Sequence, residues 1–130
     1  MTGRRQDCNG EHTILLVDDE PGIISVFKMM LEHVGYVVLP ATTPEEAIRI
    51  AGVHRDGIGL LLTDVMMPEM NGVELAQHIR SLCPDLKVLF MTGHMDLELT
   101  IADGTPLLQK PLSMNTLCDV VAKLLGTTET

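Results

Sequence analysis

From Thr13 onward, short apolar runs alternate with longer segments whose apolar residues recur at helical spacing. Thr13-Ile14-Leu15-Leu16-Val17 has no polar alternation, the pattern of a strand buried on both faces. Similar runs recur at residues 36–41, 58–63 and 86–91, with a shorter one at 106–109. Between them lie four helical stripes. The first, Ile23, Ile24, Phe27, Met30, Leu31 and Val34, follows Pro21, which suits a first turn, and stops at Gly35. The second buries Ala47, Ile48 and Ala51 behind Thr43-Pro44-Glu45-Glu46, which reads as a capping box. Val73, Leu75, Ala76, Ile79 and Leu82 form the third, ending near Pro84. Leu117, Val120, Val121, Leu124 and Leu125 form the last, with Ser113 as its cap.

Repeated strand-helix units predict an α/β domain with a mostly parallel sheet and helices on both faces. Right-handed crossovers leave few topologies for five such strands, and the doubly wound order 2-1-3-4-5 is the simplest. Ligands then bind at the carboxyl ends of the strands. Residues 1–12 are polar and aperiodic and read as a tail or linker, residues 13–126 as the domain, and 127–130 as a second short tail.

That topology matters because of what ends each run. Asp18 and Asp19 follow the first, Asp64 the third, Thr92 the fourth and Lys110 the fifth. An acidic pair before a helix is often a solvated cap, and a lone lysine at a strand end is usually just solvated. Three carboxylates brought to one sheet edge repel, which raises at least one pKa unless a cation shares the site. The pattern therefore predicts a divalent metal.

Composition narrows the function. A chain of 130 residues is one ordinary domain, able to bury roughly two thirds of its unfolded surface. Its apolar mass is aliphatic, with only Phe27, Phe90 and Tyr36 as aromatics, too few for a base-stacking platform. A formal charge of −9 opposes direct nucleic-acid binding, which relies on lysine and arginine against phosphates. No apolar stretch approaches the roughly 18 residues of a membrane span, and the first dozen residues lack the core of a signal peptide. Cys8, Cys83 and Cys118 are odd in number and far apart, which fits reducing, cytoplasmic surroundings. The five histidines show no metal-ligand spacing.

The acidic pair in Val17-Asp18-Asp19-Glu20, the block from Asp64 through Met67-Pro68-Glu69-Met70-Asn71-Gly72 (D-x-x-M-P-x-M-x-G), Met91-Thr92-Gly93 and Lys110-Pro111 together resemble the receiver domains of two-component response regulators. The resemblance spans residues 13–125 and implies a flavodoxin-like fold with the same strand order. It also implies transfer of a phosphoryl group from phosphohistidine onto Asp64 with Mg²⁺, in a signalling switch rather than a turnover enzyme. By resemblance Asp19 and Asp64 ligate Mg²⁺ directly, Asp18 acts mainly through a water, and the main-chain carbonyl of Met66 adds an oxygen. Thr92 and Lys110 contact the phosphoryl group, and Pro111 follows a cis peptide. Asp64 needs no general base, because a carboxylate with an ordinary pKa of about 3.9 is ionised at neutral pH.

The chain also departs from the family pattern. Where many receivers carry an aromatic switch residue three positions before the lysine, this chain has Leu107, and no aromatic occurs in residues 91–130. Coupling between Thr92 and such a ring is thus absent in its usual form. The stretch from Thr92 to Lys110 is short, which predicts a brief or irregular fourth helix near residues 93–98. This shortening resembles receivers attached to hybrid sensor histidine kinases, so the expected partners are a sensor kinase, in cis or in trans, and a His-containing phosphotransfer domain. The chain's end just past the last helix fits that setting as well. A stand-alone receiver is the alternative. An interaction module that is never phosphorylated is disfavoured by the complete set of five residues, and a Mg²⁺-dependent hydrolase by Met66, which stands where such an enzyme needs a second carboxylate. His94, two residues after Thr92, is a candidate for positioning water.

Overall fold

The computed structural model describes residues 12–55, 57–93, 107–110 and 113–126. Among them, strands and helices alternate: β1 (Thr13–Val17), α1 (Pro21–His33), β2 (Val37–Ala41), α2 (Pro44–Val53), β3 (Leu60–Asp64), α3 (Gly72–Leu82), β4 (Lys87–Thr92), β5 (Leu107–Gln109) and α4 (Met114–Leu125). The strands form one parallel sheet in the order β2-β1-β3-β4-β5, the doubly wound arrangement the sequence pattern predicts. Residues 1–11 and 127–130 of the expected tails, His94, most of the stretch expected to hold a short fourth helix, Pro106 and Pro111 lie outside the described residues.

The unbroken apolar runs are explained by two cores, one on each face of the sheet. Successive strand side chains point to opposite faces, and here both faces are covered. Leu15, Val17, Leu61, Val88 and Phe90 pack with Ala47 and Ala51 of α2 and Leu75 and Ile79 of α3. Ile14, Leu16, Leu60, Leu62, Leu89 and Met91 pack with Ile24, Phe27 and Leu31 of α1 and Leu117 and Val121 of α4. A polar residue on either face of β1 or β3 would be buried without water, so polar alternation is absent. The edge strand β2 carries Pro40, paired in register with Leu16, which an edge tolerates because the missing N–H faces away from the ladder.

Local signals place the helix ends. Gly35, at φ +105°, takes the left-handed turn just after α1. Thr43 Oγ1 accepts from Glu46 N at 3.1 Å as expected. The return contact differs: Glu46 Oε1 accepts from Thr42 N at 3.0 Å, one residue outside the cap, because the extended backbone before the helix turns that N–H toward it. Ser113 Oγ accepts from Thr116 N and caps α4. A full capping box, absent from the sequence reading, opens α3: Asn71 Oδ1 accepts from Glu74 N at 2.8 Å and Glu74 Oε1 accepts from Asn71 N at 3.2 Å. Strand ends shift by one or two residues from expectation; β3 runs to Asp64 itself and β4 to Thr92.

Candidate functional site

Register alone brings the polar strand ends together. Val17 pairs with Ala41 on one side and Thr63 on the other, Asp64 pairs with Met91, and Thr92 pairs with Gln109. The next residue of β1 is therefore Asp18, beside Asp64, and the next of β5 is Lys110. Main-chain hydrogen bonds continue the ladder past the strands, from Asp18 N to Ala41 O at 3.2 Å and from Lys110 N to Thr92 O at 2.7 Å.

Asp18 is fully buried. Its Oδ1 accepts from Glu20 N at 3.0 Å, turning the chain into α1, and its Oδ2 accepts from Lys110 Nζ at 2.8 Å. Asp64, 7% exposed, accepts from Met66 N at 3.2 Å through Oδ1 and from Lys110 Nζ at 3.1 Å through Oδ2. Asp19 is exposed. Even so, one carboxylate oxygen from each of Asp18, Asp19 and Asp64 lies within 4.8 Å of the others. Thr92 is buried at the end of β4, one residue beyond Met91, the register partner of Asp64. The Met66 side chain is 48% exposed, so that residue reaches the site through its main chain. Leu107 begins β5, partly buried against the core on the α2–α3 face and in register with Phe90.

Charge at this edge does not balance. Among the described residues one ammonium, bonded to two carboxylates, stands at a cluster of three, leaving a formal charge of −2. Burial raises the pKa of the Asp64 carboxyl above its ordinary 3.8; Lys110 and the Met66 N–H oppose that, and the Asp18 carboxylate adds to it. Burial alone would lower the pKa of Lys110, but its hydrogen bonds to Asp18 and Asp64 and their charges outweigh burial and hold the ammonium above 10.5. Both partners of one ion pair move upward, which for an isolated pair would be contradictory. Two anions face Lys110 and hold its proton; Asp64 rises because it is buried, and the cation that opposes this is shared with Asp18, whose charge adds to the rise. A divalent cation would remove the imbalance, and an all-oxygen donor set suits a hard ion of this kind.

Of the residues named from the sequence, the structure brings together Asp18, Asp19, Asp64 and Lys110. Beyond the sequence reading, in which Asp18 acts on the metal mainly through a water, the structure adds a direct contact: Asp18 lies nearer Lys110 Nζ, at 2.8 Å, than Asp64 does, at 3.1 Å. Two features the sequence reading lacked are the Asn71 cap, legible in Asn71-x-x-Glu74, and the buried hydroxyl of Thr63, which donates to the Asp64 carbonyl at 3.0 Å.

A family model described as the response regulator receiver domain matches residues 14–122. The response regulator receiver protein CpdR of Brucella abortus is 33% identical over 116 residues, covering 86% of this chain and 95% of that protein. The sensor kinase CckA of the same organism is 32% identical over 125 residues; the match covers 92% of this chain but only 13% of the kinase. Among solved structures, the response regulator TrrA of Thermotoga maritima in complex with Mg²⁺ and BeF is similar with a TM-score of 0.73 and 29% identity, covering 86% of this chain and 97% of that one. Among the described residues no helix is long and apolar enough to cross a membrane.

Proposed function

The chain belongs to the response regulator receiver domains of two-component systems, and from that premise we propose that it accepts a phosphoryl group from a phosphohistidine onto Asp64. A carboxylate oxygen of Asp64 forms the new bond to phosphorus as the donor's phosphorus–nitrogen bond breaks, its electron pair and a proton going to the imidazole. The product is an acyl phosphate. The observation that carries this reading is the shared ammonium: Lys110 Nζ lies within hydrogen-bond distance of both Asp64 and Asp18, so it already stands where phosphoryl oxygens will need a positive charge.

The residues fit Mg²⁺, with Asp19 and Asp64 as direct ligands, Asp18 acting through water, and the Met66 main-chain carbonyl as a further oxygen. TrrA, of the same family, is described in complex with Mg²⁺ and BeF. Bound Mg²⁺ supplies neutralisation of the repulsion between the anionic nucleophile and the anionic phosphoryl group. The chain's own residues do the remainder. Met66 N–H holds one Asp64 oxygen, Lys110 draws the other toward the donor, and the Thr92 hydroxyl donates to a phosphoryl oxygen. Phosphorylation then shifts the balance between two conformations by adding roughly one negative charge; with Leu107 in place of an aromatic, that shift is read out by other groups.

The donor in this proposal is a sensor histidine kinase, and the setting is cytoplasmic. A hybrid kinase is supported by the match to the CckA sensor kinase and would route phosphate onward to a His-containing phosphotransfer domain. A stand-alone regulator is supported by the match to the receiver protein CpdR. Intact mass after incubation with a small phosphodonor and Mg²⁺ tests the central step. Wild type should gain one phosphoryl group and Asp64→Asn none; an adduct that survives in Asp64→Asn would place the chemistry elsewhere.

A further inference from the structure

Asp64 stands at the end of β3 with two groups close against its main-chain carbonyl. Thr63, itself fully buried, donates its hydroxyl to the Asp64 carbonyl at 3.0 Å. The first residue of α3, Gly72, also lies so close that a Cβ built on it would sit 2.3 Å from the Asp64 carbonyl oxygen, 3.1 Å from its carbonyl carbon and 3.0 Å from Val65 Cα. All three are main-chain atoms, which cannot rotate away as a flexible side chain could. Gly72 N also donates to Val65 O at 2.8 Å, tying the helix to the next peptide along. The capping box of Asn71 and Glu74 fixes where α3 begins and so where Gly72 stands.

We infer that Thr63 and Gly72 are positioning residues for the phosphoacceptor: they clamp the Asp64 main chain so that its carboxylate points at Lys110 and at Asp18. This rests on Asp64 being the phosphoacceptor. Gly72 here has φ below zero among the described residues, so its need for glycine is spatial, a requirement for close approach rather than for an unusual backbone. Moving from 2.3 Å to the 3.4 Å of ordinary contact demands a displacement of about 1 Å between α3 and the Asp64 peptide. A misplacement of that size at a reacting group lowers a rate by about 100-fold.

The test uses the chain with Mg²⁺ and a small phosphodonor, following phosphorylation rate by intact mass, Mg²⁺ affinity by calorimetry and folding by thermal melting. Gly72→Ala should phosphorylate about 100-fold more slowly and bind Mg²⁺ more weakly while still melting cooperatively. Thr63→Val, which keeps the shape and removes the hydroxyl, should slow phosphorylation roughly two- to tenfold, and Thr63→Ser should restore it. A folded Gly72→Ala with wild-type rate and Mg²⁺ affinity overturns the inference, since α3 would then have moved and left Asp64 in place. If Gly72→Ala does not fold, the Thr63 pair decides, and Thr63→Val at the wild-type rate overturns it. Failure of the wild type itself to be phosphorylated is a different outcome and would overturn the assignment of Asp64 instead.

Discussion

Replacing Lys110 with methionine keeps the length and apolar stem of the side chain but removes the one ammonium at a cluster of three carboxylates. The Lys110 side chain is only 16% exposed, and its ammonium faces a fully buried Asp18 side chain at 2.8 Å and a 10% exposed Asp64 side chain at 3.1 Å. Breaking a buried pair by removing one partner costs about 3–5 kcal/mol, mostly because the other charge is left uncompensated. Lys110 retains some solvent, and Asp64 can relieve part of the strain by taking up a proton, so the lower end, about 3 kcal/mol, is expected. For a domain of this size that is roughly 10 °C in melting temperature. The sign with pH follows from the raised Lys110 pKa: its stabilisation is fully present below 10.5 and is lost only as pH rises through the higher folded value, so at pH 7 the substitution removes all of it. The penalty should shrink on acidification, as the orphaned carboxylates protonate. Mg²⁺ at a hundred times its dissociation constant should raise wild-type stability by about 2.7 kcal/mol and should raise Lys110→Met by more, because the variant's pocket is one charge more negative. Melts by far-ultraviolet circular dichroism in EDTA and in Mg²⁺ read both effects. If Lys110→Met melts with the wild type in EDTA, the ammonium is not compensating buried charge and the electrostatic account of the site fails.

The same imbalance predicts that Asp64→Asn stabilises the fold at pH 7. The raised carboxyl pKa means the native state binds this proton more tightly than the unfolded chain, so ionisation weakens the fold as pH rises from 3.8 through the folded value; the variant's advantage should fade on acidification, and a wild type that melts higher at pH 7 would contradict this. Asn71→Ala removes the side-chain half of the α3 capping box, the acceptor for Glu74 N, and should cost about 1 kcal/mol, read as a lower urea midpoint with unchanged slope; an unmoved midpoint would count against the cap. Leu61→Ala, at a fully buried position on the α2–α3 face, should cost about 3 kcal/mol, and a loss well under 1 kcal/mol would mean that this face repacks freely. The thioether of Met66 cannot orient an attacking water, so Met66→Asn should shorten the life of the Asp64 phosphate unless His94 already positions that water; an equal half-life in both proteins would argue against the role of this position.

The sequence by itself determined the sheet and the list of chemical groups. Val, Ile and Leu runs such as Leu60-Leu61-Leu62 admit no solvent face, so they dictate a sheet covered on both sides, and a parallel sheet gathers its strand ends at one edge. Asp18, Asp19, Asp64, Thr92 and Lys110 were legible because each follows such a run. What only the tertiary structure decided is how these groups share charge. A one-dimensional pattern carries no distances across 92 residues of separation, as between Lys110 and Asp18, and so could not show that the lysine spans two aspartates while Asp19 stays in solvent. Nor could it show that Gly72 is a matter of space: the need for a missing Cβ arises only where the start of one helix meets the end of a strand, and that contact exists only once the chain has closed on itself.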